Sequence, residues 1–430
     1  MNARHEAVRT LHLLEVKKTT TRRLWDGPRD GATTALVLGS VRRRGTLDAI
    51  LQTYSSRKLS LMKPQTRAAL RAGLFEMLYL DETPIHAIVN AAVENVRALG
   101  RPQDHSFVNA MLRGINRAVK RVPHEEATDQ RRALPREEFS WYFPRSVFPD
   151  RNTDPVGFLA ARGSTAKWIA KRRLEELGVD RALVCLDLQA STPPTFLRPA
   201  PGRLEDVRAA LAAEDIETSD GPRGELLQLS LRVKVGRVFE ICGDRVVVQD
   251  SVASQVAPFL AAEPGWRVLD LCAAPGGKAT HLAQLGANVT AWDIDPERLA
   301  MVAENAERLG LDNLVCAEPE GEYDAVLVDA PCSNTGVLAR RPEARWRVKE
   351  RHLKNMVERQ RKLIRLGASH VRPGGVLVYS TCSLEPEENG AIVGSFIEQG
   401  GFSLGEERTC YPDESFGDGG YMARIIRNSG

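Results

Sequence analysis

After Pro264 the sequence alternates short apolar runs with amphipathic helical segments, and this pattern constrains the fold more than any other feature of the chain. The runs contain few polar residues, which is typical of strands that are buried on both faces of a parallel sheet. The helical segments between them are long enough to form the crossovers that parallel strands require. We therefore predict a parallel, doubly wound α/β domain with strands at 267–272, 288–294, 313–318, 324–330 and 375–381.

The part of the chain before this domain has a different pattern. Residues 1–120 repeat apolar positions at helical spacing, which predicts a compact all-α bundle, and residues 121–150 have the composition of a linker. From about residue 164, a helix is followed by short, mixed elements that indicate a small α+β domain. We predict a multidomain chain with a helical domain, a linker plus small α+β domain, and an α/β domain at 1–135, 136–245 and 246–430.

Length, charge and hydropathy limit the function classes. A chain of 430 residues favours two or three domains, and neither a signal-peptide-like apolar segment nor an apolar run of about 18 residues is present. We therefore expect a cytoplasmic protein that does not insert into membranes. Residues 1–140 contain 24 Lys and Arg against 15 Asp and Glu. This local excess favours a polyanionic partner, but a solvated charged surface explains it about equally well.

The cysteines are odd in number and contain no CxxC pair, which argues against both a disulfide framework and a zinc ribbon. Most free cysteines are inert core residues. Cys332 and Cys382 differ because each follows a predicted strand and precedes a serine, and Asp329 lies three positions before Cys332. No further His or Cys ligand accompanies them, so we expect no metal. The seven cysteines are Cys185, Cys242, Cys272, Cys316, Cys332, Cys382 and Cys410.

The first predicted strand ends in DLCAAPGGKAT, and the second ends in WDIDPERL. Gly276 and Gly277 would let a ligand approach the backbone, although close helix–strand packing explains such a pair about as often. The loop fits neither the dinucleotide motif GxGxxG nor the phosphate-binding loop GxxxxGK[ST]. Asp295, before Pro296, fits a helix N-cap, which leaves Asp293 able to accept hydrogen bonds from ribose hydroxyls. Together these features favour a nucleoside-containing cofactor.

A thiolate and an acid beside such a cofactor suggest one reaction in particular. C5 of cytosine is too weakly nucleophilic to accept a methyl group directly. Addition of a thiolate to C6 makes C5 resemble an enamine carbon, which can attack the methyl sulfonium of S-adenosylmethionine. A carboxyl group at the edge of the base would stabilise the charge that develops in the ring. Loss of the C5 proton and of the thiolate would then complete the reaction.

Four segments closely resemble the motifs of the Nop2/Sun group of RNA 5-methylcytosine methyltransferases: DLCAAPGGKATHLA, DIDPERL, DAPCSNTGVLARRPEARW and YSTCSLEPEENG. LVLGSVRRRGTLD and FVNAMLR, near the N-terminus, are similar to the NusB-type RNA-binding helical domain. The resemblance covers about residues 1–120 and 245–425. It implies a Rossmann-like methyltransferase domain, S-adenosylmethionine as cofactor, and methylation of one cytosine of 16S rRNA by a monomer.

The resemblance also implies a role for each matching residue. Cys382 would be the nucleophile that adds to C6, and Cys332 would promote release of the product. Asp329 and Lys278 would hold the target base. Glu318 would lie near the adenine, where relatives usually have Asp. The expected cofactor-binding residues are Cys272, Ala273, Ala274, Pro275, Gly276, Gly277, Lys278, Asp293, Glu318 and Asp329.

The chain departs from the family pattern at several places. Asn334 stands where Gly is usual, Ala279 stands where Thr is usual, and both EPEGEY and GDGGYMARI differ from the usual sequences. Residues 140–245 match weakly, so the resemblance implies only an RNA-positioning role for them. Three alternatives stay open: a methyltransferase of tRNA or another RNA, a non-catalytic RNA-binding or ribosome assembly factor, and a nicotinamide-dependent oxidoreductase. The AAPGG loop disfavours the last of these.

Overall fold

The computed structural model describes residues 3–17, 19–24, 31–80, 83–231, 233–412 and 417–429. The chain divides into two compact units. The first contains Met1–Thr192 together with Ala339–Arg347, and the second contains Pro193–Leu338 and Val348–Gly430. The division at residue 192 falls inside the predicted middle segment, and the predicted boundaries at 135 and 245 stay predictions. In the described ranges, no helix is both long and apolar enough to cross a bilayer.

The first unit is mainly helical, as the periodicity predicted. Helix α5 is buried along most of its length, because its many Ala, Gly and Leu residues allow other helices to pack closely around it. Helix α9 is interrupted at Gly178, whose φ of +71° suits glycine. The helices of this unit that precede residue 193 are α1 (Ala3–Lys17), α2 (Thr21–Leu24), α3 (Gly31–Arg42), α4 (Arg44–Tyr54), α5 (Pro64–Tyr79), α6 (Ile85–Ala98), α7 (His105–Ala118), α8 (Pro155–Arg162) and α9 (Lys167–Gln189).

A small antiparallel sheet occupies part of the stretch for which the sequence indicated a linker. Its strands are β1 (Lys120–Val122), β2 (Ala133–Pro135) and β3 (Ser140–Tyr142), in the order β1-β3-β2. Strands of three residues are too short to show an alternating pattern, which is why the sequence did not reveal them. The sheet is anchored by Trp141, which is buried and donates a hydrogen bond from Nε1 to the Leu78 carbonyl at 2.9 Å.

The second unit begins with the small α+β domain that the sequence predicted. A four-stranded antiparallel sheet has the order β5-β6-β4-β7. Leu197, Leu227 and Val238 are fully buried in the core that the sheet shares with two helices. The elements are β4 (Thr195–Pro199), α10 (Leu204–Ala212), β5 (Thr218–Asp220), β6 (Leu227–Leu229), α11 (Val235–Cys242) and β7 (Val246–Val248).

The rest of this unit is built on a seven-stranded sheet with the order β10-β9-β8-β11-β12-β14-β13. The first five strands in this order are parallel, and β14 and β13 continue the sheet antiparallel. This confirms the predicted doubly wound domain. The elements are α12 (Val256–Leu260), β8 (Arg267–Asp270), α13 (Gly277–Gln284), β9 (Asn288–Ala291), α14 (Pro296–Arg308), β10 (Leu314–Cys316), β11 (Tyr323–Asp329), α15 (Ala344–Arg347, part of the first unit), α16 (Leu353–Ser369), β12 (Val371–Thr381), α17 (Gly390–Ile397), β13 (Phe402–Cys410) and β14 (Gly420–Arg427).

The strand order reverses between β8 and β11, and this reversal determines where a ligand can bind. Successive residues of β11 enter the hydrophobic cores on opposite faces of the sheet: Leu327 in one and Val328 in the other. At the carboxyl ends, Asp270 is paired with Leu327, and Asp329 is paired with Ser380. The ends of β8, β11 and β12 therefore meet at the switch point of the sheet, where open α/β folds bind their ligands.

Candidate active site

The loop after β8 enters helix α13 through a pair of glycines. Gly276 has φ +105°, and a Cβ there would lie 3.3 Å from Val302, so this position suits only glycine. The predicted cofactor-binding residues that precede Lys278 lie together in this loop. Their side chains are mostly small and at least partly buried, except for the exposed Pro275. The loop comprises Cys272, Ala273, Ala274, Pro275, Gly276 and Gly277.

Asp293 joins this loop, and Asp295 caps a helix, as the sequence predicted. The carboxylate of Asp293 is nearly buried and accepts a hydrogen bond from the Ala274 amide at 3.3 Å. Arg298 lies 3.5 Å from the same carboxylate oxygen. Asp295 accepts hydrogen bonds from the Glu297 and Arg298 amides at the start of α14. The loop and the end of β9 are therefore fixed to each other, and the two aspartates have different roles in the fold.

Asp270 belongs to this site although the sequence analysis did not assign it a role. It is 1% exposed, and neither carboxylate oxygen accepts a hydrogen bond of ordinary geometry. Burial and the negative charge of Asp329 raise its pKa to about 7, against a smaller opposing effect of Lys278. An acid at the end of the first strand was the available sequence signal. Its lack of a partner could be seen only in the folded chain.

Lys278 and Asp329 form an ion pair at the switch point. The Lys278 ammonium lies 2.7 Å from Asp329 Oδ2, and Ser380 donates a hydrogen bond to Oδ1 at 2.7 Å. Burial alone would lower the pKa of Lys278, but Asp329 and the nearby negative charges of Cys382 and Asp270 more than offset it and raise that pKa. The lysine therefore stays positively charged close to the Cys382 sulfur. The resemblance gave Lys278 and Asp329 a role at the target base, which stays a prediction, and it gave Ser380 no role.

The two cysteines that the sequence singled out are adjacent in space. Cys332 Sγ and Cys382 Sγ are 3.2 Å apart, and no disulfide joins them. The hydrogen bond to Cys382 raises the pKa of the buried Cys332 thiol, and burial and the negative charges of Cys382 and Glu388 raise it further. Cys332 therefore holds its proton, and the half-buried Cys382 is the more accessible sulfur. Parallel pairing of β11 with β12 brings the two strand ends together.

Cys272 differs from this pair although it lies at the end of a strand. Burial, followed by the negative charges of Asp270 and Asp329, raises the pKa of its thiol. A thiol in such surroundings is a poor nucleophile, because the thiolate is the reactive form. The structure thus places Cys272 among the loop residues and not among the reactive groups.

Asn334 contacts both cysteines and adopts a left-handed backbone conformation with φ +63°. Its side-chain oxygen accepts a hydrogen bond from Cys382 Sγ at 3.3 Å, and its amide donates to the Cys332 carbonyl at 2.8 Å. Asparagine is one of the few residues other than glycine that tolerate this conformation. This accounts for the departure at this position and adds a polar group beside Cys382.

Glu318 is the one predicted site residue that the described contacts do not connect to the others. It is exposed and lies two residues beyond the end of β10. Ile294, between Asp293 and Asp295, is 80% exposed, which is unusual for so large an apolar side chain at a strand end. No sequence motif indicated a role for Ile294. Within the described ranges, no group of three or more His, Cys, Asp and Glu side chains could hold a metal ion.

The arrangement combines a group of carboxylates with a pair of cysteines. Asp270, Asp293 and Asp329 place three carboxylates around the loop of β8, and among the described residues the Asp270 carboxylate makes no ion pair. Such a site suits a cationic ligand that also carries hydroxyl groups. The cysteine pair lies within electrostatic range of the Lys278–Asp329 ion pair, so a ligand bound there could meet the Cys382 sulfur.

Comparisons with known proteins agree with this architecture. Residues 257–425 match the family model described as 16S rRNA methyltransferase RsmB/F, and residues 1–117 match the NusB family. The chain is 31% identical over 386 residues to the probable ribosomal RNA small subunit methyltransferase B of Bacillus subtilis, covering 86% of this chain and 80% of that protein. It is 32% identical over 431 residues to ribosomal RNA small subunit methyltransferase B of Xanthomonas campestris, covering 94% and 90%.

Solved structures agree on the fold. A methyltransferase homologue from Pyrococcus horikoshii is 24% identical, covers 64% of this chain and 99% of its own, and has a TM-score of 0.56. NSun6 from the same organism, solved with SFG, is 20% identical, covers 60% and 97%, and has a TM-score of 0.52. The full-length sequence similarity, the two family matches and the paired strand ends together lead to one conclusion. The chain belongs to the ribosomal RNA small subunit methyltransferase B family, with an N-terminal NusB domain.

Proposed function

We propose that this protein uses S-adenosylmethionine to methylate C5 of a cytosine in 16S rRNA through a covalent thiolate adduct. One observation carries the proposal: two cysteine sulfurs lie 3.2 Å apart near a partly buried Lys278–Asp329 ion pair. Methyl transfer to a more nucleophilic atom would need no thiol. A second cysteine at this distance fits a reaction in which a sulfur is first bonded and then released.

The cofactor would be held by the residues around the β8 loop. S-adenosylmethionine, when bound, would supply an electrophilic methyl group. Asp293 would accept hydrogen bonds from the ribose hydroxyls, and the exposed Ile294 would contact the adenine. Asp270 would face the cationic part of the ligand and would gain the partner that it otherwise lacks. The role of Glu318 near the adenine stays a prediction.

The base would be activated by Cys382. Its thiolate would add to C6 of the cytosine, and the ring electrons would move toward C5 and N3. Lys278 keeps a positive charge near the sulfur. Asp329, held by Lys278 and Ser380, would contact the polar edge of the base and stabilise the charge that develops there. An extruded cytosine would expose both C6 and this edge.

Release of the product would depend on Cys332. After C5 has gained the methyl group, the C5 proton must pass to a base such as solvent water, and its bonding electrons form the C5–C6 double bond as the C6–sulfur bond breaks. Cys332 lies in hydrogen-bond range of the Cys382 sulfur and holds its own proton. It can therefore donate this proton to the departing sulfur, which makes Cys382 a better leaving group. This division of roles follows the resemblance and agrees with the greater burial of Cys332.

The proposal is tested by methyl transfer to 16S rRNA transcripts, followed by bisulfite mapping of rRNA from cells with and without the gene. We expect one cytosine of 16S rRNA to lose its methyl group when the gene is absent. If a tRNA loses a methyl group instead, the substrate is that tRNA and the 16S rRNA part of the proposal is wrong. A protein that binds RNA but neither binds S-adenosylmethionine nor transfers methyl groups would be a non-catalytic assembly factor, and the proposal would be wrong.

The pKa of Asp270 predicts a pH-dependent affinity for the cofactor. The carboxylate forms as the pH rises through about 7, and only the ionised form attracts a cation. The ratio of wild-type to Asp270→Asn affinity for S-adenosylmethionine should increase about tenfold between pH 6 and pH 8. Isothermal titration calorimetry at several pH values measures this ratio. A ratio that does not change with pH would remove Asp270 from the cofactor site.

The same ionisation predicts how stability depends on pH. The folded-state pKa of Asp270 lies above its unfolded value of about 3.9. Between these values the folded protein keeps a proton that the unfolded chain releases, so this group lowers the free energy of unfolding as the pH rises from about 4 to about 7. Asp270→Asn should reduce this slope. Urea unfolding at pH 5 and pH 7 compares the two proteins, and equal slopes would contradict the prediction.

The backbone at Asn334 predicts a difference between two substitutions. Asn334→Gly and Asn334→Ala both remove the acceptor for Cys382, but alanine resists a φ of +63°. The alanine variant should therefore have a free energy of unfolding about 1 kcal/mol below that of the glycine variant. Urea unfolding measures the difference. Equal stabilities would mean that the left-handed conformation is not required.

A further inference from the structure

Glu388 lies in the EPEEN turn between β12 and α17, and its surroundings are unusual for a charged residue. It is 0% exposed, and four donors converge on its carboxylate. Oε1 accepts hydrogen bonds from the Ser333 amide and from Gln360 Nε2, both at 2.9 Å. Oε2 accepts hydrogen bonds from the hydroxyls of Ser333 and, at 2.6 Å, Ser383. A buried carboxylate with this many donors is fixed in place by its partners.

The groups that Glu388 holds are the neighbours of the two cysteines. Ser333 directly follows Cys332, and Ser383 directly follows Cys382. Both serines are 0% exposed, and their hydroxyls are 3.0 Å apart. One carboxylate therefore binds the two strand-end loops, which are otherwise separated by 50 residues of sequence.

Two further contacts hold Glu388 itself. Gln360 of α16, which donates to Glu388, also donates a hydrogen bond to the carbonyl of Pro331 at 3.0 Å. Pro331 directly precedes Cys332. The Tyr379 hydroxyl donates to the Glu388 carbonyl at 2.8 Å. Gln360 of α16 and Tyr379 of β12 both donate hydrogen bonds to Glu388. The position of Glu388 is therefore fixed by two elements of regular secondary structure.

We propose that Glu388 is a positioning residue that sets the distance between the Cys332 and Cys382 sulfurs. The inference rests on the proposed function, because the spacing matters only if the two sulfurs act on one substrate. Glu388 touches neither sulfur and acts through Ser333 and Ser383. Glutamine is not an equivalent replacement, since its amide nitrogen cannot accept the hydrogen bonds that the Ser333 and Ser383 hydroxyls donate to Oε2. The two loops would then lose these two hydrogen bonds and would be joined only by their direct contacts.

The first test measures the sulfur–sulfur distance without using enzymatic activity. Diamide takes up two electrons and two protons when it converts a thiol pair to a disulfide, and peptide mass spectrometry then detects the Cys332–Cys382 link. We expect Glu388→Gln to form this link roughly tenfold more slowly than wild type, because the sulfurs spend less time in contact. Glu387→Gln, at an exposed position one residue earlier, should match wild type. Equal rates for all three proteins would overturn the inference.

The second test separates positioning from general damage to the fold. In methyl transfer to 16S rRNA, Glu388→Gln should lose about 100-fold in kcat with the KM for RNA nearly unchanged, since a displacement near 1 Å has an effect of this order. Ser383→Ala, which removes one of the four donors to the Glu388 carboxylate, should be intermediate in both tests. If Ser383→Ala and Glu388→Gln both keep the wild-type kcat, the inference is wrong. If wild type transfers no methyl group, the proposed function fails, and the disulfide rates still decide the role of Glu388.

Discussion

Cys382→Ala should lose methyl transfer by about 10⁴-fold or more, because without covalent activation C5 of cytosine cannot attack the methyl donor at a useful rate. The Cys382 side chain is small and half-buried, so the variant should fold and still bind RNA and S-adenosylmethionine. Single-turnover transfer from methyl-labelled cofactor measures the loss, and filter binding measures RNA affinity. Cys316→Ala is a matched control, since Cys316 is another half-buried cysteine outside the site. Activity of Cys382→Ala close to that of the control would refute the assigned nucleophile.

Arg345→Met should strongly destabilise the first unit. The Arg345 side chain is 0% exposed and donates hydrogen bonds to the carbonyls of Arg42, Ser164 and Gln189 at 3.0, 2.8 and 2.6 Å. Arg42 and Gln189 are the last residues of α3 and α9, whose final carbonyls lack helical partners. Methionine fills much of the same volume but cannot donate, so we expect a loss of about 3–5 kcal/mol.

Thermal unfolding followed by far-ultraviolet circular dichroism tests this prediction in the full-length protein. Arg347→Met provides the control, because Arg347 belongs to the same short helix but is exposed. The control should unfold at the wild-type midpoint, whereas Arg345→Met should unfold well below it. Similar midpoints for the two variants would show that the three hydrogen bonds of the Arg345 guanidinium do not contribute measurably to the stability of the fold.

The sequence predicted the five parallel strands but missed the two antiparallel strands, β14 and β13, that continue the sheet. In β11 and β12 the apolar residues are consecutive, because both faces are covered by helices. Strand β13 is mostly exposed and contains Glu406, Glu407 and Arg408, so neither an apolar run nor an alternation appears. Charged edge strands of this kind protect a sheet from pairing with other chains, and the same charges conceal them from pattern analysis.

The candidate site was predicted to a different extent for each residue. Cys332 and Cys382 could be brought together by reasoning alone, because the ends of neighbouring parallel strands meet at one edge of a sheet. The contacts of Asn334 and Glu388 could not be predicted in this way, since they depend on the shape of two turns and on the packing of α16. Asp270 was visible in the motif, but its missing partner is a property of the folded core.

The covalent mechanism is tested most directly by mass spectrometry of Cys332→Ala after incubation with 16S rRNA and S-adenosylmethionine. Without the proton donor, the methylated base should remain bonded to the protein, and the adduct should accumulate. Digestion should place the modified nucleotide on the peptide that contains Cys382, with one additional methyl group on the base. Rapid turnover by Cys332→Ala with no adduct, or an adduct on a different residue, would contradict the account of how the two thiols act.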